Sequence, residues 1–151
     1  MARAKKKAKV VLPKDVNDPL FLPNRTPSQP PEGASLETKK FPKGKVLFRE
    51  GDFADNAYII KTGAVTLSRR DRVGQDQAFL TLRTGEIVGE MSLIVDIHRT
   101  ATAIIKDDCE AIVINRDSFD YHLDRLNPFI LRILRLLVKR LKDTTDAYMD
   151  F

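Results

Sequence analysis

Cysteine occurs once in the 151 residues, at Cys109, and tryptophan does not occur at all. A single thiol excludes a disulfide framework within the chain and suits a reducing compartment, so a cytoplasmic setting is expected. Set in an apolar run, Cys109 reads as a small core residue rather than as a nucleophile. Histidine is nearly as scarce: His98 and His122 lie apart and lack metal-ligand company. No nucleophile–base constellation is visible, and neither metal nor cofactor is implied, so a non-enzymatic protein is expected. No apolar run approaches the roughly 18 residues needed to cross a bilayer, and no apolar segment of a secretory signal follows the basic N-terminus.

What is present is unevenly spread. The formal net charge is +5, and residues 1–34 carry most of it, with seven basic side chains against three acidic. Six of the eight prolines fall before residue 32. That stretch has neither helical nor strand period and is expected to be a disordered basic, proline-rich tail, leaving residues 35–151 as the folded domain. The cluster "RAKKKAK" attracts nucleic acid or anionic lipid through charge alone, but a solubilising role is the favoured reading of so short a run. Leu20, Phe21 and Leu22 in "DPLFLP" are candidates to dock onto the domain surface or onto a partner. The rest of the chain is nearly neutral and gives no sign of a nucleic-acid-binding face.

From Leu36 onward the texture is of short strand-like runs broken by turn residues. "KVLF", "AYIIK", "AVTLSRRD", "QAFLTLR", "TATAII" and "AIVI" are separated by "PKG", "REGDFADN", "TG", "RVGQD", "TGEIVGE" and "DDCE". Many short strands at this spacing predict a sandwich or barrel. The last third changes period. Asn115 or Asp117 caps a helix bearing Phe119 and Leu123, and Asn127 with Pro128 opens a longer one. On the longer helix, Ile130, Ile133, Leu134, Leu137, Val138 and Leu141 form one apolar stripe. Such a stripe must bury against the barrel or against another copy of itself.

One stretch stands apart, "VGEMSLIVDIHRT" from Val88 to Thr100. It is largely apolar yet carries Glu90 near its start and Arg99 near its end. Read alone, these two are either an exposed ion pair or a pair of groups that grip something between them.

In their order, these pieces resemble a cyclic nucleotide-binding domain, the β-roll module of the catabolite activator family, the cyclic-nucleotide-dependent kinases and the cyclic-nucleotide-gated channels. The resemblance covers roughly residues 35–145. "FPKGKVLFREGDFADNAYIIKTGAVTLS" is similar to the first half of the module, and "LRTGEIVGEMSLIVDIHRTATAI" to its phosphate-binding cassette. It implies a mainly β fold with α, an antiparallel β-roll (a double-stranded, jelly-roll-like barrel) with a short cassette helix and two C-terminal helices. It also implies a ligand, cAMP or cGMP, held by Gly89, Glu90, Met91, Ser92, Leu93, Arg99, Thr100 and Ala101. In this reading Arg99 and the main-chain amides of Met91–Leu93 and Thr100 take the phosphate. Glu90 accepts from the ribose 2′-hydroxyl, and Gly89 lets the backbone come close to the sugar. Val65, Leu80 and Ile87 are the candidate base contacts, each equally well explained as core. Arg135, Lys139, Arg140 and Tyr148 are the candidate lid. Val88 stands where the family often has phenylalanine, which leaves the polar contacts intact. Thr100 keeps cGMP open beside cAMP.

Few residues follow the long helix before Phe151, so no DNA-binding helix-turn-helix is expected. A stand-alone sensor is expected, one that signals to an unknown effector protein through its C-terminal helices. A homodimer through the terminal helix is one way to cover the stripe. The competing expectation is a degenerate roll that binds no nucleotide and acts as an interaction or oligomerisation module.

Overall fold

The computed structural model describes residues 36–149. The expectations for the basic, proline-rich tail therefore lie outside the described residues. Six strands and three helices follow in order: β1 (Glu37–Phe41), β2 (Val46–Phe48), β3 (Asn56–Arg70), β4 (Asp76–Arg83), β5 (Ile87–Val88), α1 (Glu90–Ile94), β6 (Thr102–Asn115), α2 (Arg116–Leu123) and α3 (Pro128–Tyr148). The expected β-roll with a short helix and two C-terminal helices is the observed architecture. Every pairing is antiparallel. The sheet runs β1-β6-β3-β4, with β2 also on β6 and β5 also on β3.

β3 and β6 form the spine, and their length differs from the sequence reading. "AYIIK" and "AVTLSRRD" are one fifteen-residue strand, and "TATAII" and "AIVI" are one of fourteen. The turn signals "TG" and "DDCE" face each other across the ladder, with Thr62 opposite Glu110 and Ala64 opposite Asp107. They bend the pair through register shifts instead of ending it. Gly63 makes the bend feasible. Its φ is 89°, and a Cβ there would collide with the Asp108 carbonyl.

The bend wraps the sheet around a core of Tyr58, Ile60, Val65, Val88, Ala103, Ile105, Cys109 and Ala111. Cys109 is therefore core, as expected, and burial pushes its thiol pKa up. A second, smaller cluster of Ala54, Ala57 and Leu93, with Ile87 and Phe119 packed on it, seats α1 and α2 against the roll. Of the two candidate caps, Asn115 caps α2, its side chain accepting from the Ser118 amide at 2.8 Å. Asn127 caps α3 with Pro128 in the first turn. The β3–β4 hairpin turns around Asp71, whose carboxylate accepts from the amides of Val73 and Gln75.

The apolar stripe of α3 is wider than one contact. Leu134 and Val138 turn inward, while Ile130, Ile133, Leu137 and Leu141 are exposed together with Phe129 and Leu136. The stripe is therefore not buried whole: one side is covered within the chain, and the other is open.

Candidate functional site

The stretch between β5 and β6 is a closed loop pinned by its own main chain. It starts at Gly89, which holds φ 84° in front of α1. A Cβ here would lie 2.5 Å from Arg99 Nη1 and 3.1 Å from the Phe48 ring, so a glycine is needed for space as well as for conformation. α1 then buries Ser92, Leu93 and Ile94. The Ser92 hydroxyl donates to the His98 carbonyl at 3.3 Å and the Ile97 amide donates to the Ser92 carbonyl, which folds the loop back on the helix. Its exit is tied to the β2–β3 loop: the Arg99 amide donates to the Asp52 carbonyl at 2.9 Å, and the Gly51 amide to the Arg99 carbonyl at 2.8 Å.

This frame carries Arg99 into the protein, where the residue is only 4% exposed. Nη1 donates to the Gly89 carbonyl at 2.8 Å, and Nη2 donates to the Asn56 carbonyl. The guanidinium carbon stands 3.9 Å from the centroid of the Phe48 ring, a cation–π contact. Nε is buried without a hydrogen-bond partner. Among the described residues no carboxylate lies within ion-pair distance of Arg99. Burial lowers its pKa, opposed by Tyr58 and the carboxylate of Asp55, yet a guanidinium remains charged at any ordinary pH. The result is a buried cation whose charge is met by carbonyl dipoles and one aromatic face. Such a charge is costly to hold unless an anion completes it.

Glu90, the first residue of α1, is half-buried. Burial raises its carboxyl pKa; its own backbone N–H and the positive charge of Arg99 oppose the rise. Glu90 and Arg99 thus share one electrostatic environment without forming a direct ion pair. Of the two readings, the exposed salt bridge is not what the structure shows. Met91 and Thr100 are half-buried beside them and Ala101 is buried.

The three candidate base contacts separate. Val65 faces Leu82 and Leu67 faces Leu80, so these four share one face of the β3–β4 ladder. Val65 is fully buried in the roll core, whereas Leu80 remains 46% exposed. Ile87 is on the opposite face from Tyr58 and Val88 and packs with Leu93 and Phe119, where alternation along β5 places it. Its side chain belongs to the second core. Among the lid candidates, Arg135 alone reaches the cassette, its Nε donating to the Ile94 carbonyl at 3.2 Å. Lys139 pairs with Asp143 on its own helix, Arg140 is exposed, and Tyr148 is 85% exposed.

Sequence reasoning missed Phe48, Asn56 and the acidic loop residues Asp52 and Asp55. With Tyr58, Phe53 and Arg99 they line a cavity of about 460 Å³ on the β2–β3 loop side of the guanidinium. That cavity includes neither Glu90 nor Thr100, so Arg99 has two sides: the cassette and this loop. The clustered acids of "EGDFADNAY" just ahead of a strand were the available signal.

Known proteins resemble this chain in sequence and in fold. The family model described as the cyclic nucleotide-binding domain matches residues 38–125. The Cyclic AMP receptor protein of Thermus thermophilus is 31% identical over 76% of this chain and 53% of its own length. A cAMP-dependent protein kinase regulatory subunit of Pyricularia oryzae is 28% identical over 65% of this chain and 24% of its own length. The solved EAL enzyme Bd1971, in its cAMP-bound form, superposes with a TM-score of 0.68 at 26% identity, over 74% of this chain and 30% of that one. The chain thus spans about half the length of the first relative and about a quarter of the second.

Proposed function

This chain belongs to the cyclic nucleotide-binding domain family, and on that premise we propose that it is a cytoplasmic, non-enzymatic sensor that binds a 3′,5′-cyclic nucleotide, with cAMP the first candidate and cGMP the second. The observation that carries the reading is Arg99: a buried, permanently charged guanidinium with no carboxylate partner among the described residues, a spare Nε, and Gly89 cleared to receive it. A cyclic phosphodiester is the monoanion such a site lacks. Arg99 and the amides of Met91–Leu93 and Thr100 take the phosphate, with Ser92 and Ala101 holding the loop in shape. Glu90 takes the ribose 2′-hydroxyl. Leu80, on the same face as Val65 and not yet covered, meets the base.

The output runs through α3 to an effector protein. Arg135 ties α3 to the end of the cassette helix, so a displacement of the cassette reaches α3 directly. The nucleotide shifts α3 only by as much as it prefers one placement over another. Titration calorimetry of the purified chain with cAMP and with cGMP tests the reading: saturable 1:1 heat with at least one is expected, and no heat with either overturns it.

A second reading is supported by a separate observation, the exposed apolar side of α3 formed by Ile130, Ile133, Leu137 and Leu141. An unpartnered face of this kind suits a second copy or another protein, and a roll that binds no nucleotide still offers it. Sedimentation that gives the same oligomer with and without cyclic nucleotide, alongside flat calorimetry, selects this reading.

A further inference from the structure

α3 is fastened to the roll at two points of different chemistry. Midway along, Leu134 and Val138 pack inward and Arg135 reaches the Ile94 carbonyl. Within α3 beyond Val138 the less exposed positions are Lys142, Thr145 and Asp146, all polar, and the next partly covered apolar residue, Met149, lies just past the helix. Apolar packing therefore stops short of the last two turns. What meets them is Arg69, near the end of β3. Its Nη1 donates to Asp146 Oδ1 at 2.8 Å, while its Nε faces the Glu50 carboxylate at 3.8 Å. Lys142 Nζ reaches the other oxygen, Asp146 Oδ2, at 2.6 Å along the helix. Hydrogen bonds from Lys142 and Arg69 hold the Asp146 carboxyl below the usual carboxylate range. A crevice that runs alongside is lined by Arg69, Arg70, Arg72, Asp71 and Asp146, with Ala147 and Met149.

We propose that the Arg69–Asp146 pair is an electrostatic latch that fixes the C-terminal half of α3 against the turn end of the β3–β4 hairpin. The two fastenings are 11 residues apart, roughly 16 Å along the helix axis at 1.5 Å per residue. The inner one follows the cassette, and the outer one follows charge. Of the two bonds to Asp146, the one from Lys142 is internal to the helix and cannot dock it; the one from Arg69 crosses to the sheet and does. The pair is partly shielded from water, with Arg69 anchored by Glu50, so it holds better than an isolated surface pair. Added salt weakens it all the same. α3 thereby has a rest position that is released without disturbing the core of the roll. This holds whether or not the roll takes a nucleotide.

Amide hydrogen exchange on the full chain tests it, with the amides of β3 and β6 as the internal check on folding. Arg69→Gln and Asp146→Asn should each speed exchange across residues 139–148 by tenfold or more, and the double variant should add little. Lys142→Ala should change these rates by less than threefold. Raising the salt concentration should speed the same amides in the parent chain and leave them nearly unchanged in Arg69→Gln. Unchanged exchange in Asp146→Asn, or an effect of Lys142→Ala as large as that of Arg69→Gln, overturns the latch.

Discussion

Between Gly51 and Ala101 the chain is held by its own backbone: the β2–β3 loop exchanges amide and carbonyl bonds with the cassette exit, the loop closes on α1, and Arg99 is buried under Phe48. Along α3 a single residue of twenty-one, Val138, is buried, and long-range side-chain bonds fasten the helix near its middle and near its end. The first region is pre-organised, so under the proposed function a nucleotide would meet donors already in place and spend little on ordering them. The second is attached by few groups, so small free energies move it. The proposed sensor would use this division: a reader that is internally pre-formed and shifts as one piece, and an output near balance.

The strongest way to break the comparison is at its rigid end. Arg99→Ala should weaken cyclic nucleotide binding by about 2–5 kcal/mol, because the anion then sits in a buried site without its cation. Calorimetry against both nucleotides checks this, and an unchanged affinity would remove Arg99 from the site. Gly89→Ala comes next. It forces a side chain into left-handed backbone and against the guanidinium, which should cost about 1–3 kcal/mol of stability and displace Arg99. Denaturant unfolding gives the first quantity, and the loss of nucleotide affinity gives the second.

Glu90 sharpens the comparison through opposite effects on stability and binding. Its carboxyl pKa is raised in the folded chain, so folding favours the protonated form. The penalty is present above the folded pKa and disappears as the pH falls below the unfolded value. Glu90→Gln should therefore raise stability at neutral pH by under about 1 kcal/mol and flatten its pH dependence in the acid range. The same change should weaken binding of a ribonucleotide while barely touching its 2′-deoxy analogue. Equal losses with both would deny the ribose contact. The smallest effect on folding belongs to the outer side of α3. Leu137→Lys should change stability by no more than about 0.5 kcal/mol, since Leu137 is already 55% exposed. Sedimentation of that variant reports whether this side carries an interface.

Features that depend on local chemistry were legible in the sequence. Asn127 and Pro128 start α3 where their capping chemistry predicts. The polar "RVGQD" makes a hairpin because Asp71 can satisfy the turn amides itself. The cassette was legible because a glycine, a carboxylate, a short apolar run and an arginine follow one another without interruption. Features that depend on how distant segments meet were not. "TG" and "DDCE" each read as a break, but placed opposite one another they are a single bend. Ile87 reads like Val65 in the sequence, and only the strand register sends it to the other face. Nothing local to Arg99 points to Phe48 or to the Asn56 carbonyl, because they arrive from strands 51 and 43 residues earlier in the chain. The α3 stripe gave its period correctly but not its division between the roll and open surface, which depends on where the helix is fastened.

The most direct measurement of the central claim is an amide titration. With cAMP or cGMP added to the labelled chain, the signals of residues 88–102 should move saturably and first, those of α3 from Arg135 onward should follow with the same dissociation constant, and the β1 signals should stay in place. Cassette signals that remain still at millimolar concentrations of both nucleotides would contradict the account.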